Sequence, residues 1–183
     1  MVNIFLEPSP LPVPAGSIKL RKIAVRLFGA TLAKRIINRQ VTSGDSLKFI
    51  AQAELTDDFP WAGPNAHIAS AFAGFSSLME QLGESSLTDN VREIVKRNIN
   101  SWQGEDMGLS QNWVNDLISD IDDSDRPSAR LALLTAIAPY QVDENVIKQF
   151  RAIHPDDVSL LHLTAWASFT AARRIGCWLH QPG

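Results

Sequence analysis

The sequence predicts an all-α protein, a single domain of about seven helices. Three observations carry that prediction. Apolar residues recur at helical spacing in segment after segment, most clearly in Val91, Ile94, Val95, Ile99 and Trp102. Short polar residues such as Ser17, Thr88 and Asp143 mark helix starts, because their side-chain oxygens accept bonds from the free amides of an opening turn. No strand is suggested anywhere, and no repeat of solenoid length appears.

Taken in order, residues 1–16 hold Pro8, Pro10, Pro12 and Pro14, which favour an extended arm over a helix. Residues 17–183 are expected to form the domain. Ser17 opens a helix from Ile18 to about Asn38. It carries Lys19, Arg21, Lys22, Arg26, Lys34, Arg35 and Arg39 and no acid. Its cations do not segregate onto one face, so it reads as a packed helix with a solvated basic edge rather than a membrane-surface helix. A short helix from Leu47 to Leu55 precedes the turn TDDFPWAGP, whose Phe59 and Trp61 are expected to anchor the loop on the core. The run from Asn65 to Leu82 is helical and rich in Ala, Gly and Ser, with Gly83 expected as its stop. His67 beside it reads as a surface or capping residue.

Residues Leu87 to Ile118 read as a helix capped by Thr88 or Asp89, a break bracketed by Gly104 and Gly108, and a second helix from Leu109 through Trp113, Val114, Leu117 and Ile118. The acidic stretch after it fails the calcium-loop pattern, since the required Gly is absent and Leu131 stands where the final Glu belongs. Asp125, Arg126 and Pro127 make a helix start for the apolar ARLALLTAIA. Asp143 caps a helix from Glu144 to Ile153. The last helix opens at His154-Pro155, with Asp156 and Asp157 at its positive end, and runs to about Leu179.

A chain of 183 residues with 45% apolar and 20% charged residues has the composition of an ordinary globule with a sizeable core. Its formal net charge of −3 offers no basic field for nucleic acid. Cys177 is the single cysteine, so neither a CxxC couple nor a cysteine-based zinc site is available. No run reaches the roughly 18 apolar residues of a membrane span, and the first residues lack a signal-peptide pattern. A reducing cytoplasm is the expected location.

The stretch from Leu87 to Ile118 resembles the core motif of the carboxymuconolactone decarboxylase and alkylhydroperoxidase (AhpD-like) superfamily. In the peroxidase branch a Glu precedes Cys-x-x-Cys-x-x-x-His. On this chain Glu93 matches the Glu, Glu105 and Gly108 stand at the cysteine positions, and Asn112 stands at the His position. The resemblance extends from about residue 64 to 179 in the order and length of helices. It implies an AhpD-like helical bundle that assembles as a homo-oligomer. With both thiols missing, it also implies that the family's redox chemistry is lost.

Other chemistry finds no motif. P-loop, dinucleotide fingerprint, nucleophile elbow and HExxH are all absent, so no cofactor and no metal are expected. A Ser-His-Asp arrangement stays open. What remains is acid–base chemistry. Glu93, Glu105, Asp106 and His162 are the candidate catalytic residues, and Asn112, Trp102, Trp166 and Arg173 the candidate substrate-binding ones. Glu93 lies opposite the apolar stripe, beside Lys96, Arg97 and Asn100, which suits either a plain solvated face or a polar face covered by another element. The expected function is cofactor-independent work, lyase-like or isomerase-like, on a small organic acid, lactone or related carbonyl compound. A non-catalytic oligomeric or ligand-binding protein, and residual alkylhydroperoxidase-type activity through Cys177, are the alternatives.

Overall fold

The computed structural model describes residues 42–179, which fall almost wholly within the compact unit Gly44–Gly183. The proline-rich arm and the basic helix expected near the N-terminus lie outside the described residues. Among those described there are six α-helices and no strand. They are α1 (Ala66–Ser86), α2 (Asp89–Ser101), α3 (Asn112–Leu117), α4 (Arg126–Ile137), α5 (Glu144–Arg151) and α6 (Asp157–Leu179). Short 3-10 turns lie at Asp45–Phe49, Pro60–Ala62 and Pro139–Gln141.

The core forms around α4. Leu131, Leu133 and Leu134 are fully buried although they point in different directions around the helix, because α2, α5 and α6 all pack against it. A helix apolar all round belongs inside, and each such leucine contributes about 1.5–3 kcal/mol by leaving water. Val91, Val95 and Ile99 of α2, Phe150 of α5, and Leu163 and Trp166 of α6 complete the core. The α2 stripe read from spacing is this buried face. Phe59 is buried and meets Phe72 and Phe169, as its anchoring role requires.

The longest pairing is α1 with α6, which run in opposite directions: Ser85 meets His162, Gly83 meets Trp166, and Phe75 meets Phe169. Gly83 does not stop α1. The helix continues to Ser86, and the amide of Leu87 still donates to the Gly83 carbonyl. Gly83 instead makes room, since a Cβ there would stand 2.5 Å from Cδ1 of Trp166. The sequence signal was right about glycine and wrong about its task.

Three other expectations change. The segment expected as a helix from Leu47 to Leu55 is a 3-10 turn over Asp45–Phe49 followed by irregular chain. It buries no residue, so nothing rewards a longer helix. The second helix of the central pair starts at Asn112 rather than Leu109, because Gly108 is left-handed at φ +62 and Leu109 is 92% exposed. Thr88 and Asp125 flank helices at the expected places, yet neither side chain caps its own helix. The Thr88 hydroxyl donates to Asp125 Oδ2 at 2.7 Å, tying the start of α2 to the start of α4. Asn65 and Asp143 do act as caps, Asn65 accepting from His67 and Ile68 and Asp143 from Val146. Asp156 accepts from the backbone and hydroxyl of Ser159 at 2.7 and 2.8 Å at the head of α6, and these bonds hold its carboxyl below its ordinary value.

Candidate functional site

α1 is almost free of charge from Ala66 to Gly83; Glu80 is the one acid there. α6 is similarly bare, with Arg173 and Arg174 its only charged residues from Val158 to Leu179. Such isolated charges on packed helices need partners, and the structure supplies them for Glu80 and Arg173. Glu80 Oε2 accepts from Lys96 Nζ of α2 at 2.7 Å, and Glu80 Oε1 accepts from Arg173 Nη1 at 3.3 Å. Trp166 Nε1 approaches the same Oε2 at 3.4 Å. One carboxylate therefore joins α1, α2 and α6.

Arg173 is fully engaged. Its Nε and Nη2 bind both oxygens of Asp58, with Nη2 to Oδ1 at 2.7 Å, and Nη2 also reaches Thr56 Oγ1 at 3.3 Å. Burial works against the charge of Asp58, but the bonds from Arg173 and Thr56 and the charge of Arg173 outweigh it, so the carboxyl lies below its ordinary value. The bond to Asp58 likewise raises Arg173 against the effect of its burial. The guanidinium also lies over the rings of Phe59 and Phe169.

These groups line a cleft of about 430 Å³ with Thr56, Asp57, Asn100, Thr170, Arg174 and Cys177. The Cys177 thiol donates to the Asp58 carbonyl at 3.6 Å. Cys177 is half-buried and lines this cleft.

A second cleft, of about 410 Å³, lies along the loop between α2 and α3, lined by Trp102, Glu105, Asp106, Gly108, Leu109, Ile137 and Tyr140. Here the acids organise the loop. Glu105 Oε2 accepts from the Gln103 amide at 2.8 Å, and that bond with its own backbone amide holds the carboxyl below its ordinary value. Asp106 Oδ1 accepts from the Gly108 amide at 2.9 Å and from Tyr140 Oη at 3.0 Å. Partial desolvation and the bond to Asp106 push the Tyr140 phenol up. Gly104 at φ +91 and Gly108 at φ +62 make the turns that a side chain would strain. Gln141, buried, holds the Met107 and Gly108 carbonyls with its amide and accepts from Trp113 Nε1 at 3.0 Å.

The residues read from sequence are thus divided. Arg173 lines the first cleft, while Trp102, Glu105 and Asp106 line the second. Glu93 is exposed on α2 and lines neither. Asn112 opens α3 and also lines neither; its amide donates to Ser110 Oγ. Trp166 is fully buried in the core, so its contribution to a substrate surface is replaced by a structural one. His162 shares a 3.3 Å hydrogen bond with Ser85. Ser85 itself donates to the Leu82 carbonyl, and among the described residues no carboxylate bonds His162, so the Ser-His pair lacks the third member of a triad. Asp58, Glu80, Lys96 and Arg174 are the site-forming residues that sequence reading passed over. The signal for Glu80 and Arg174 was present, as charges on otherwise uncharged helices. Asp58 had none, lying in a loop over a hundred residues from its partner Arg173.

Among curated proteins, the chain is similar to an alkyl hydroperoxide reductase of Mycobacterium tuberculosis, with 33% identity over 179 residues, covering 98% of this chain and 50% of that protein. The chain spans about half the length of the curated relative it matches. No family model and no solved structure matches. The similarity to that protein extends over nearly the whole chain.

Proposed function

We propose that this AhpD-like chain acts without a redox thiol pair and without a cofactor, by acid–base chemistry on a small organic acid, lactone or related carbonyl compound in the α1–α2–α6 cleft. The observation that carries this reading is the Glu80–Lys96 contact at 2.7 Å inside the cleft. A carboxylate and an ammonium in direct contact form a pair able to take a proton from carbon and return one to oxygen. Arg173, locked by Asp58 and Glu80, holds Glu80 in place as a positioning residue. Glu93, Glu105 and Asp106 then keep the roles of solvent-facing and loop-forming acids. Ile68, Phe75 and Leu78 are between 42% and 47% exposed along one side of α1, apolar surface suited to contact between subunits of a homo-oligomer.

The test is hydrogen–deuterium exchange at carbon, followed by proton NMR in deuterated water, over a panel of small keto acids, unsaturated acids and lactones. Exchange by the wild-type protein that falls about a hundredfold in Glu80→Gln, with unchanged melting, supports the reading. No exchange with any member, or exchange untouched by Glu80→Gln, overturns it.

One observation favours a second reading: Cys177 lines the same cleft. Its thiolate would attack the distal oxygen of an organic hydroperoxide, breaking the O–O bond to give the alcohol and a sulfenic acid, which an added small thiol reduces back. Hydroperoxide consumption that disappears in Cys177→Ser would establish this activity; consumption unchanged by it would end the reading.

A further inference from the structure

We propose that Arg174 is the carboxylate-binding group of the α1–α2–α6 cleft and selects a small planar monocarboxylate. The inference rests on that cleft being the working site.

The three cations of the cleft differ in what they already hold. Lys96 is paired with Glu80, and Arg173 with Asp58 and Glu80. Among the described residues Arg174 makes neither an ion pair nor a side-chain hydrogen bond, and its Nε is buried without a partner. A guanidinium presents five N–H donors in a planar fork and keeps its charge at any accessible pH. One so placed is short of an anion. Its orientation is already set, because the guanidinium carbon lies 5.3 Å from the centre of the Trp178 ring. Trp178 is held in turn against Trp102 at 5.4 Å between ring centres. A ligand carboxylate therefore meets a donor fork that has little freedom left to lose.

The surroundings define the ligand class. Asn100 and Thr170 add neutral polar groups to the lining of the same cleft. The paired acids Asp58 and Glu80 disfavour a second negative charge close by, so a monoanion fits better than a dianion. The indole surface of Trp178 beside Arg174 suits a flat, unsaturated or aromatic body. Asp57 is exposed and lines the same cleft, and among the described residues it has no ion pair, so its charge would oppose an incoming anion.

The test is calorimetric titration of the purified full chain with benzoate and, separately, with neutral benzamide. Wild-type protein should bind benzoate, and benzamide at least about tenfold more weakly. Arg174→Met should weaken benzoate about tenfold or more, Arg174→Lys several-fold because it keeps charge without the fork, and Asp57→Asn should leave binding equal or tighter. Should Arg174→Met fail to fold, the Nε–H signal of Arg174 in nitrogen-15-labelled wild-type protein must shift on benzoate addition. Absent binding, equal binding of benzamide, unchanged affinity in Arg174→Met or an unmoved Arg174 signal would each overturn the proposal. Arg174-dependent benzoate binding without carbon–hydrogen exchange retains this site and removes the acid–base reading. Exchange that Glu80→Gln abolishes and Arg174→Met leaves intact does the reverse.

Discussion

The indole of Trp166 occupies the space that a side chain at position 83 would need: a Cβ on Gly83 would lie 2.5, 2.6 and 2.8 Å from three of its ring atoms. The contact sets how closely α1 approaches α6, and with it the position of Glu80 one turn earlier on α1.

Gly83→Ala is therefore expected to destabilise the protein by about 1–3 kcal/mol, since overpacking the rigid indole outweighs the gain of about 1 kcal/mol that alanine brings to a helix interior. Thermal melting checks it. A rise in melting temperature would show that α1 can move away from Trp166 at no cost.

Asp58→Asn should cost about 2 kcal/mol at neutral pH, because the part-buried Arg173 loses the carboxylate that binds its Nε and Nη2 and keeps only Glu80 as a charged partner. The pH dependence has a definite sign. The Asp58 carboxyl lies lower in the folded protein than in the unfolded chain, so its contribution is complete above the ordinary value of 3.8 and is lost as pH falls through the folded value. Denaturant titrations of wild type and Asp58→Asn should accordingly differ at pH 7 and draw together as pH falls below 3.8 through the lowered folded value. A constant gap across that range would mean that the carboxylate charge plays no part.

The Thr88–Asp125 bond should appear as a coupling of about 0.5–1 kcal/mol in a double-mutant cycle of Thr88→Val and Asp125→Ala. Two independent helix caps would give additive losses instead. Chemical denaturation of the four proteins decides between them.

Much of the fold was legible because the signals behind it act over a few residues. The α2 stripe from Val91 to Ile99, the apolar α4 and the Asp143 cap each depend on neighbours within a turn or two. The site was legible only in fragments. Arg173 was found, but Glu80 was hidden within a helix read for its small residues, and Glu93 drew attention through its place in a motif rather than its surroundings.

The residue pattern alone settles that the described chain is helical, where its buried faces lie and that a CxxC couple is absent. Which acid meets which cation is decided only when the helices pack. Asp58 and Arg173 are separated by 115 positions, and Thr88 and Asp125 by 37. Helical periodicity says which face of a segment turns inward, but the partner on that face comes from another segment. A polar group shielded from water takes the nearest complementary group, and nearness there belongs to the packed chain.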